Sequence, residues 1–325
     1  MTDYKAIKGK TILSVGSDLG AEGEGEIWFN TASGDYKTIV KVAGAWATGN
    51  NLGTARYHHG GAGIQTAGLV FGGATFPPTA NKNESEEYDG TNWAEGSNLN
   101  VARRFLGGAG TQTAGVAFAG IGDTDDTEEY NGTSWTEANN LTTGRYAVAD
   151  AGTQTAALCI AGGEPVVAIV EEYDGTNWTE IADVNTARHA LGGTGTSTAA
   201  LAVAGNPGPG VSAIVELWNG TSWTEVGDVN TARFKNPVCG TTGAALVFGG
   251  YSGSQSVNTE IYDGTSWAEL ANLNTGRSAL PGIGTTNLAL GAGGYTGPQT
   301  NATEEWSFST TATPPGAQNV KVIDD

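Results

Sequence analysis

Six times in this chain a tryptophan is followed ten residues later by an arginine: Trp46 and Arg56, Trp93 and Arg103, Trp135 and Arg145, Trp178 and Arg188, Trp223 and Arg233, Trp267 and Arg277. Successive tryptophans lie 47, 42, 43, 45 and 44 residues apart. A period of roughly 20 to 50 residues marks a repeat architecture, in which one small unit is copied and no single copy can bury its own apolar face.

The internal order of the unit is constant. After the Arg comes a stretch of small residues such as Leu106-Gly107-Gly108-Ala109-Gly110, and then an apolar run ending in Gly, as in LVFGG to Gly73 or VAFAG to Gly120. A loop follows, then a Glu-x-aromatic triplet (Glu86-Glu87-Tyr88, Glu260-Ile261-Tyr262), then an Asp-Gly or Asn-Gly pair such as Asp89-Gly90 or Asn131-Gly132, and the Trp. Gly in such a pair tolerates positive φ, so the spacing predicts a two-residue reversal and antiparallel pairing. The unit reads as four short strands: the first near the Arg, the second ending at the Gly pair, the third with Glu and aromatic, the fourth with Trp. Four strands at this period make a propeller blade, and the small residues of the first strand suit a place where backbones converge on an axis.

The Gly-Gly pair, the downstream Tyr and the Trp seven residues after the Glu resemble the Kelch repeat over about residues 40 to 308. Departures fall on single blades: Ala119 and Ala204 replace the first Gly, and Trp218 and Trp306 occupy the Tyr position. The resemblance implies an all-β, six-bladed Kelch-type β-propeller. The first Trp strand, KTIVKVAGAW ending at Trp46, precedes any complete unit, while the last Glu-aromatic strand, at Trp306, has no Trp strand after it. The N-terminal strand is therefore expected to close the ring by completing the C-terminal blade, which removes an open edge. The expected segments are a docking segment over 1–36 that includes the start of a β-hairpin, the propeller over 37–309, and an extended, Pro-interrupted tail over 310–325.

Anything present in every blade is most cheaply explained as scaffold. The six tryptophans are read as packing between blades, and Arg56, Arg103, Arg145, Arg188, Arg233 and Arg277 as pairing with backbone or acidic partners. Function should break the symmetry. Length varies substantially only between the second and third strands, and the longest such loop runs from Ala74 to Ser85. Binding residues commonly sit on variable loops held by a rigid scaffold. Candidates there are Thr75, Phe76, Asn81, Lys82 and Asn83, with Asp123, Asp125 and Asp126 in the next blade; the alternative is that these are merely tolerated surface loops.

Other chemistry finds little support. The histidines are His58, His59 and His189 only, without zinc-ligand spacing. Asp123-Thr124-Asp125-Asp126 lacks the Gly and terminal Glu of a calcium loop. No catalytic residue, metal or cofactor is expected, and so no enzyme. A formal charge of −19, with 15 Lys plus Arg of which six belong to the repeat, leaves no basic patch for nucleic acid. No run of 18 apolar residues is present to insert in a membrane, and MTDYKAIKGK lacks the apolar stretch of a secretory signal. Cys159 and Cys239 occupy non-equivalent repeat positions, and two buried free thiols are expected in preference to a disulfide.

Trp28 stands outside the repeat, in GEIWFNTASGDYKTIVKVAGAW, where Ala32-Ser33-Gly34-Asp35 predicts the turn of a hairpin. This segment, with Trp28 and Phe29 as candidate docking residues, is similar to the G-x-I-W-[YF]-N-T hairpin of bacteriophage tail-fibre and other virion proteins. The repeats rich in Gly-Thr-Gln-Thr-Ala-Gly and Asn-Gly-Thr-Ser-Trp resemble Kelch-like virion proteins of marine, especially cyanobacterial, phages. The likeness implies a structural virion protein, a tail fibre, appendage or decoration. Such a protein would be made in the host cytoplasm, carried in the virion and docked to other virion proteins through its N-terminus. The rival reading is a receptor-binding lectin that takes host cell-surface glycan in host attachment.

Overall fold

Each blade grows from two sequence habits, a second strand that is apolar and a third that buries a Glu and an aromatic residue. The computed structural model describes residues 44–121, 125–163 and 165–308, and the backbone alone of 13–15, 27–30 and 35–38. In the second strand of blade 1, Ala67–Phe71, the side chains of Leu69, Val70 and Phe71 are wholly buried, because both faces of this strand meet neighbouring blades. In the third strand, Ser85–Tyr88, Ser85, Glu86 and Tyr88 are buried and Glu87 is half-buried.

The strands form six antiparallel four-stranded sheets, and among the described residues all regular structure is β. Blade 1 is Gly60–Ile64, Ala67–Phe71, Ser85–Tyr88 and Trp93–Glu95, and blade 2 is Gly107–Thr111, Ala114–Phe118, Thr127–Tyr130 and Trp135–Glu137. Blade 3 is Ala149–Thr153, Ala156–Gly162, Val167–Tyr173 and Trp178–Ile181, and blade 4 is Gly192–Thr196, Ala199–Gly208, Gly210–Trp218 and Trp223–Val226. Blade 5 is Val238–Thr241, Ala244–Phe248, Thr259–Tyr262 and Trp267–Glu269. Blade 6 takes Ile283–Gly284, Leu288–Ala292 and Thr303–Ser307 from the C-terminal side and Ala45–Gly49 from the N-terminal side, with Trp306 opposite Trp46. First strands pack on first strands all the way round, so the molecule is a six-bladed β-propeller closed by its N-terminal strand.

Two details differ from the expectations. Trp46 lies at the start of its strand, Ala45–Gly49, rather than at the end of one, and Lys37 and Thr38 belong to a separate sheet. The cause is the cross-strand partnership of the Trp with the last residue of the third strand, as in Tyr88 with Trp93 and Tyr130 with Trp135. The reversal between them takes four residues, not two. The Asp89 carboxylate accepts the amides of Thr91 and Asn92, while Gly90 takes a φ of 90°. Asp and Asn hold such turns because a short side chain can replace a backbone acceptor.

The contacts divide the chain into two compact units, Ala45–Ser307 and Met1–Gly44 with Phe308–Asp325. In the second unit Ile27–Asn30 and Asp35–Thr38 pair as an antiparallel hairpin, with Leu13–Val15 parallel to its first strand. The turn residues 32–34 and the tail over 310–325 lie outside the described residues. Cys159 and Cys239 are buried and unbridged, and burial pushes each thiol up to about 12.

Candidate functional site

The repeated residues form one network per blade. Every repeat Arg is buried and forms an ion pair with the leading Glu of its own blade's third strand: Arg56 with Glu86 at 2.7 Å, Arg103 with Glu128 at 3.2 Å and with Asp126, Arg145 with Glu171, Arg188 with Glu216, Arg233 with Glu260 and Arg277 with Glu304. The guanidinium also donates to main-chain carbonyls, as Arg188 does to Ala202, Ala204 and Thr186. The same Glu accepts two amides from the connection entering its blade, for example Asn185 and Thr186 on Glu216. A buried ion pair is tolerable only when its remaining donors and acceptors are satisfied, and here the backbone does that.

Between blades the repeat supplies further ties. The Trp46, Trp93 and Trp178 indoles donate to Thr259, Thr303 and Thr127 of the preceding blade, whereas the Trp223 and Trp267 indoles find carbonyls of Ala182 and Gly227. The Trp135 indole nitrogen is buried without a partner.

The fourth-to-first connections and the second-to-third-strand loops share one face of the ring. At its centre the amides of six residues close a circuit: His58 donates to Ala279, Ala279 to Lys235, Lys235 to Ala190, Ala190 to Ala147, Ala147 to Phe105 and Phe105 to His58. All six residues are left-handed, with φ between 51° and 60°, and none is glycine. A side chain in that conformation costs about 1 to 2 kcal/mol, and the circuit offsets it by satisfying one amide and one carbonyl from each blade.

Below this mouth an axial channel of about 90 Å³ is lined by first strands. Where blades 1, 2 and 4 place Gly61, Gly108 and Gly193, blade 3 places Asp150, whose carboxylate accepts the Gly108 amide. Burial raises its pKa to about 7, opposed by that one bond. His59, held to the Ala292 carbonyl, is pushed down to about 3 by burial and by Arg56, so it is neutral at physiological pH.

Beside the mouth, between blades 5, 6 and 1, opens a cleft of about 540 Å³. Its aromatic lining comes from Tyr57 and Tyr295, with ring centroids 5.6 Å apart, from Phe234 and Tyr251, 5.5 Å apart and edge-on, and from Phe76 at the rim, 51% exposed. The least exposed lining residues are Ser278, Ala279 and His58. Burial, followed by the positive charges of Lys235 and Arg104, holds His58 well below its usual pKa. Lys235 borders both channel and cleft, its Nζ 5.3 Å from the Phe234 ring and 5.8 Å from that of Phe105. Gln255 also lines the cleft, and its Oε1 is buried without a hydrogen-bond donor. A concave, mostly apolar surface of a few hundred Å³ with a few polar groups is the usual form of a small-ligand site.

The loop candidates are distributed unevenly around this site. Phe76 lines the cleft, and Thr75 pairs with Ala80 in a small ribbon at its edge. Asn81 binds the carbonyls of Ala102 and Ile121 and accepts from Arg104, Lys82 pairs with Glu84, and Asn83 donates to Leu99. The main-chain oxygen of Asp125 accepts the Leu141 amide, and Asp126 is buried against Arg103. Asp123 lies outside the described residues, as do the side chains of Trp28 and Phe29. Sequence reasoning missed Tyr57, Phe234, Lys235, Tyr251 and Tyr295. A signal for three of them was present in the two residues after each repeat Arg, which differ in every blade: Tyr57-His58, Arg104-Phe105, Tyr146-Ala147, His189-Ala190, Phe234-Lys235 and Ser278-Ala279. The other two begin the paired loops Tyr251-Ser252-Gly253-Ser254-Gln255 and Tyr295-Thr296-Gly297-Pro298-Gln299.

Comparison with protein-family models and with curated proteins finds no match to this chain.

Proposed function

We infer that this chain is a non-enzymatic structural protein of a bacteriophage virion, an appendage or decoration with a Kelch-like propeller. Its N-terminal segment docks to other virion proteins and its propeller is displayed for contact with the host or with a neighbour on the particle. The observation that carries the reading is the GEIWFNT segment, similar to virion hairpins, whose strands Ile27–Asn30 and Asp35–Thr38 pair outside the compact propeller unit. A separate small sheet joined to a closed ring is an economical design for anchoring and display. The test is deletion of residues 1–36. The truncated protein keeps the closing strand Ala45–Gly49, so it is expected to fold and to be absent from purified virions. Normal incorporation of the truncated protein would remove the anchoring role.

A second reading, a receptor-binding lectin at the tip of such a particle, is favoured by the aromatic cleft beside the mouth. Aromatic faces are apolar enough to receive the C–H face of a sugar ring, while tyrosine hydroxyls and amides meet its hydroxyls. Binding of the full-length protein to a glycan array tests this reading. Retention of no glycan at all would eliminate it and leave the virion reading standing.

A further inference from the structure

The charge distribution of the propeller narrows what the cleft can hold. Between residues 45 and 307 there are nine cationic side chains in a protein with a formal charge of −19. Arg56, Arg103, Arg145, Arg188, Arg233, Arg277 and Lys82 are ion-paired. The two without a carboxylate partner among the described residues are Arg104 and Lys235, and both lie near His58 at the mouth, with Lys235 over the Phe105 ring. Arg104 is engaged by the Asn81 amide oxygen, whereas Lys235 is held only among rings and borders the cleft directly. Among the described residues the cations without a carboxylate partner are thus gathered at the mouth, and Lys235 is half-buried there, where desolvation disfavours an ammonium with no counter-ion.

We propose that the cleft between blades 5, 6 and 1 binds a sugar residue bearing a single carboxylate, with its ring against the Tyr57–Tyr295 and Phe234–Tyr251 pairs and its carboxylate at Lys235 Nζ. This rests on the lectin reading and specifies its ligand class. A charge-assisted bond from Lys235 to a carboxylate is stronger than a neutral one. A polyanion fits poorly, since beyond this spot the protein's own negative charge opposes it over a screening length of about 8 Å. The cleft lies within a rigid ring, so little ordering free energy is lost on binding.

The experiment uses the full-length protein and its Lys235→Gln, Lys235→Arg and Tyr295→Ala variants. Each is titrated with oligosaccharides ending in N-acetylneuraminic acid or glucuronic acid and with the neutral counterparts lacking the carboxylate. Thermal melting checks that every variant folds. The proposal expects the acidic sugar to bind at least about tenfold more tightly than its neutral counterpart. Lys235→Gln should erase that preference and Lys235→Arg retain it, while Tyr295→Ala weakens both sugars alike. Free monosaccharide and glycan-linked terminal residue are compared to separate the two sources of the same group. Equal affinity for acidic and neutral sugars, or a preference unchanged in Lys235→Gln, would overturn the acidic-sugar proposal and leave the lectin reading intact. Binding of no sugar, or of a peptide in its place, would overturn both.

Discussion

At the scale of the residue, the molecule separates charges that hold the ring from charges with little to hold. Every nitrogen of the Arg188 guanidinium is engaged, and removing it strands Glu216 in the core. Arg188→Ala is therefore expected to cost about 3 to 5 kcal/mol, the range for breaking a buried pair, and calorimetry should record a fall in melting temperature. Asp150 is the opposite case, a carboxyl whose charge the folded state disfavours. Its folded pKa, about 7, lies above its ordinary value, so the native state binds the proton more tightly than the unfolded chain. Its stability contribution is full below the ordinary carboxyl range and is lost as pH rises toward 7. Channel water screens part of this penalty, since Asp150 is only half-buried by exposed surface. Asp150→Asn should thus stabilise the protein by about 1 to 3 kcal/mol at pH 8 and by less at pH 5, measured by urea unfolding at the two values. A gain that did not grow with pH would contradict this assignment.

At the scale of the element, the six seams between blades are not alike. The second Glu of the Glu-Glu-aromatic triplet accepts the hydroxyl of the next blade's tyrosine: Glu305 from Tyr88, Glu87 from Tyr130 and Glu129 from Tyr173. Gln65, Gln112 and Gln154, in the turns between first and second strands, cap two carbonyls each of the preceding blade at the same three seams. Around the other half of the ring Leu217 and Ile261 replace the Glu, and Ser197, Thr242 and Thr286 replace the Gln. Those seams lack both the tyrosine–glutamate and the glutamine ties and combine apolar packing, as where Trp218 and Trp223 pack with Leu158, Ile160 and Val170 of blade 3, with single bonds such as Thr286 to the Ala244 carbonyl and Thr194 to the Gly240 carbonyl. Tyr130→Phe should accordingly cost about 1 kcal/mol, while Tyr262→Phe, facing a leucine-bearing strand, should be close to neutral. Chemical denaturation of the two variants decides it. The Trp–Arg spacing made the six blades legible from sequence because packing and ion pairing demand the same residues in every copy. The cleft was less legible, since length variation points to the longest loop, whereas Tyr57, Phe234 and Lys235 arise from side-chain exchange at backbone positions of fixed length, and Tyr251, Gln255 and Tyr295 come from shorter loops of blades 5 and 6. Of the longest loop, Phe76 and Thr79 reach the cleft.

At the scale of the whole molecule, Ala45–Gly49 is the strand that turns six sheets into a closed body. Deleting residues 1–44 keeps it, and the melting transition of the propeller unit is expected to stay where it is. Deleting residues 1–49 leaves Thr303–Ser307 as an unpaired edge. The expected outcome is a lower melting temperature and self-association on size-exclusion chromatography; an unchanged monomer would mean that the clasp is dispensable. The offset of one strand between the two ends of the sequence made this clasp legible, although not the place where the strand begins. The circuit of six amides at the mouth carries the same idea to the axis. It is a hoop with no loose end: one blade cannot lean outward there without stretching two links, and the load passes to the rest. An aperture so hooped is expected to keep one diameter on occupation, so that a guest arriving at its rim meets a fitted seat rather than a closing hand.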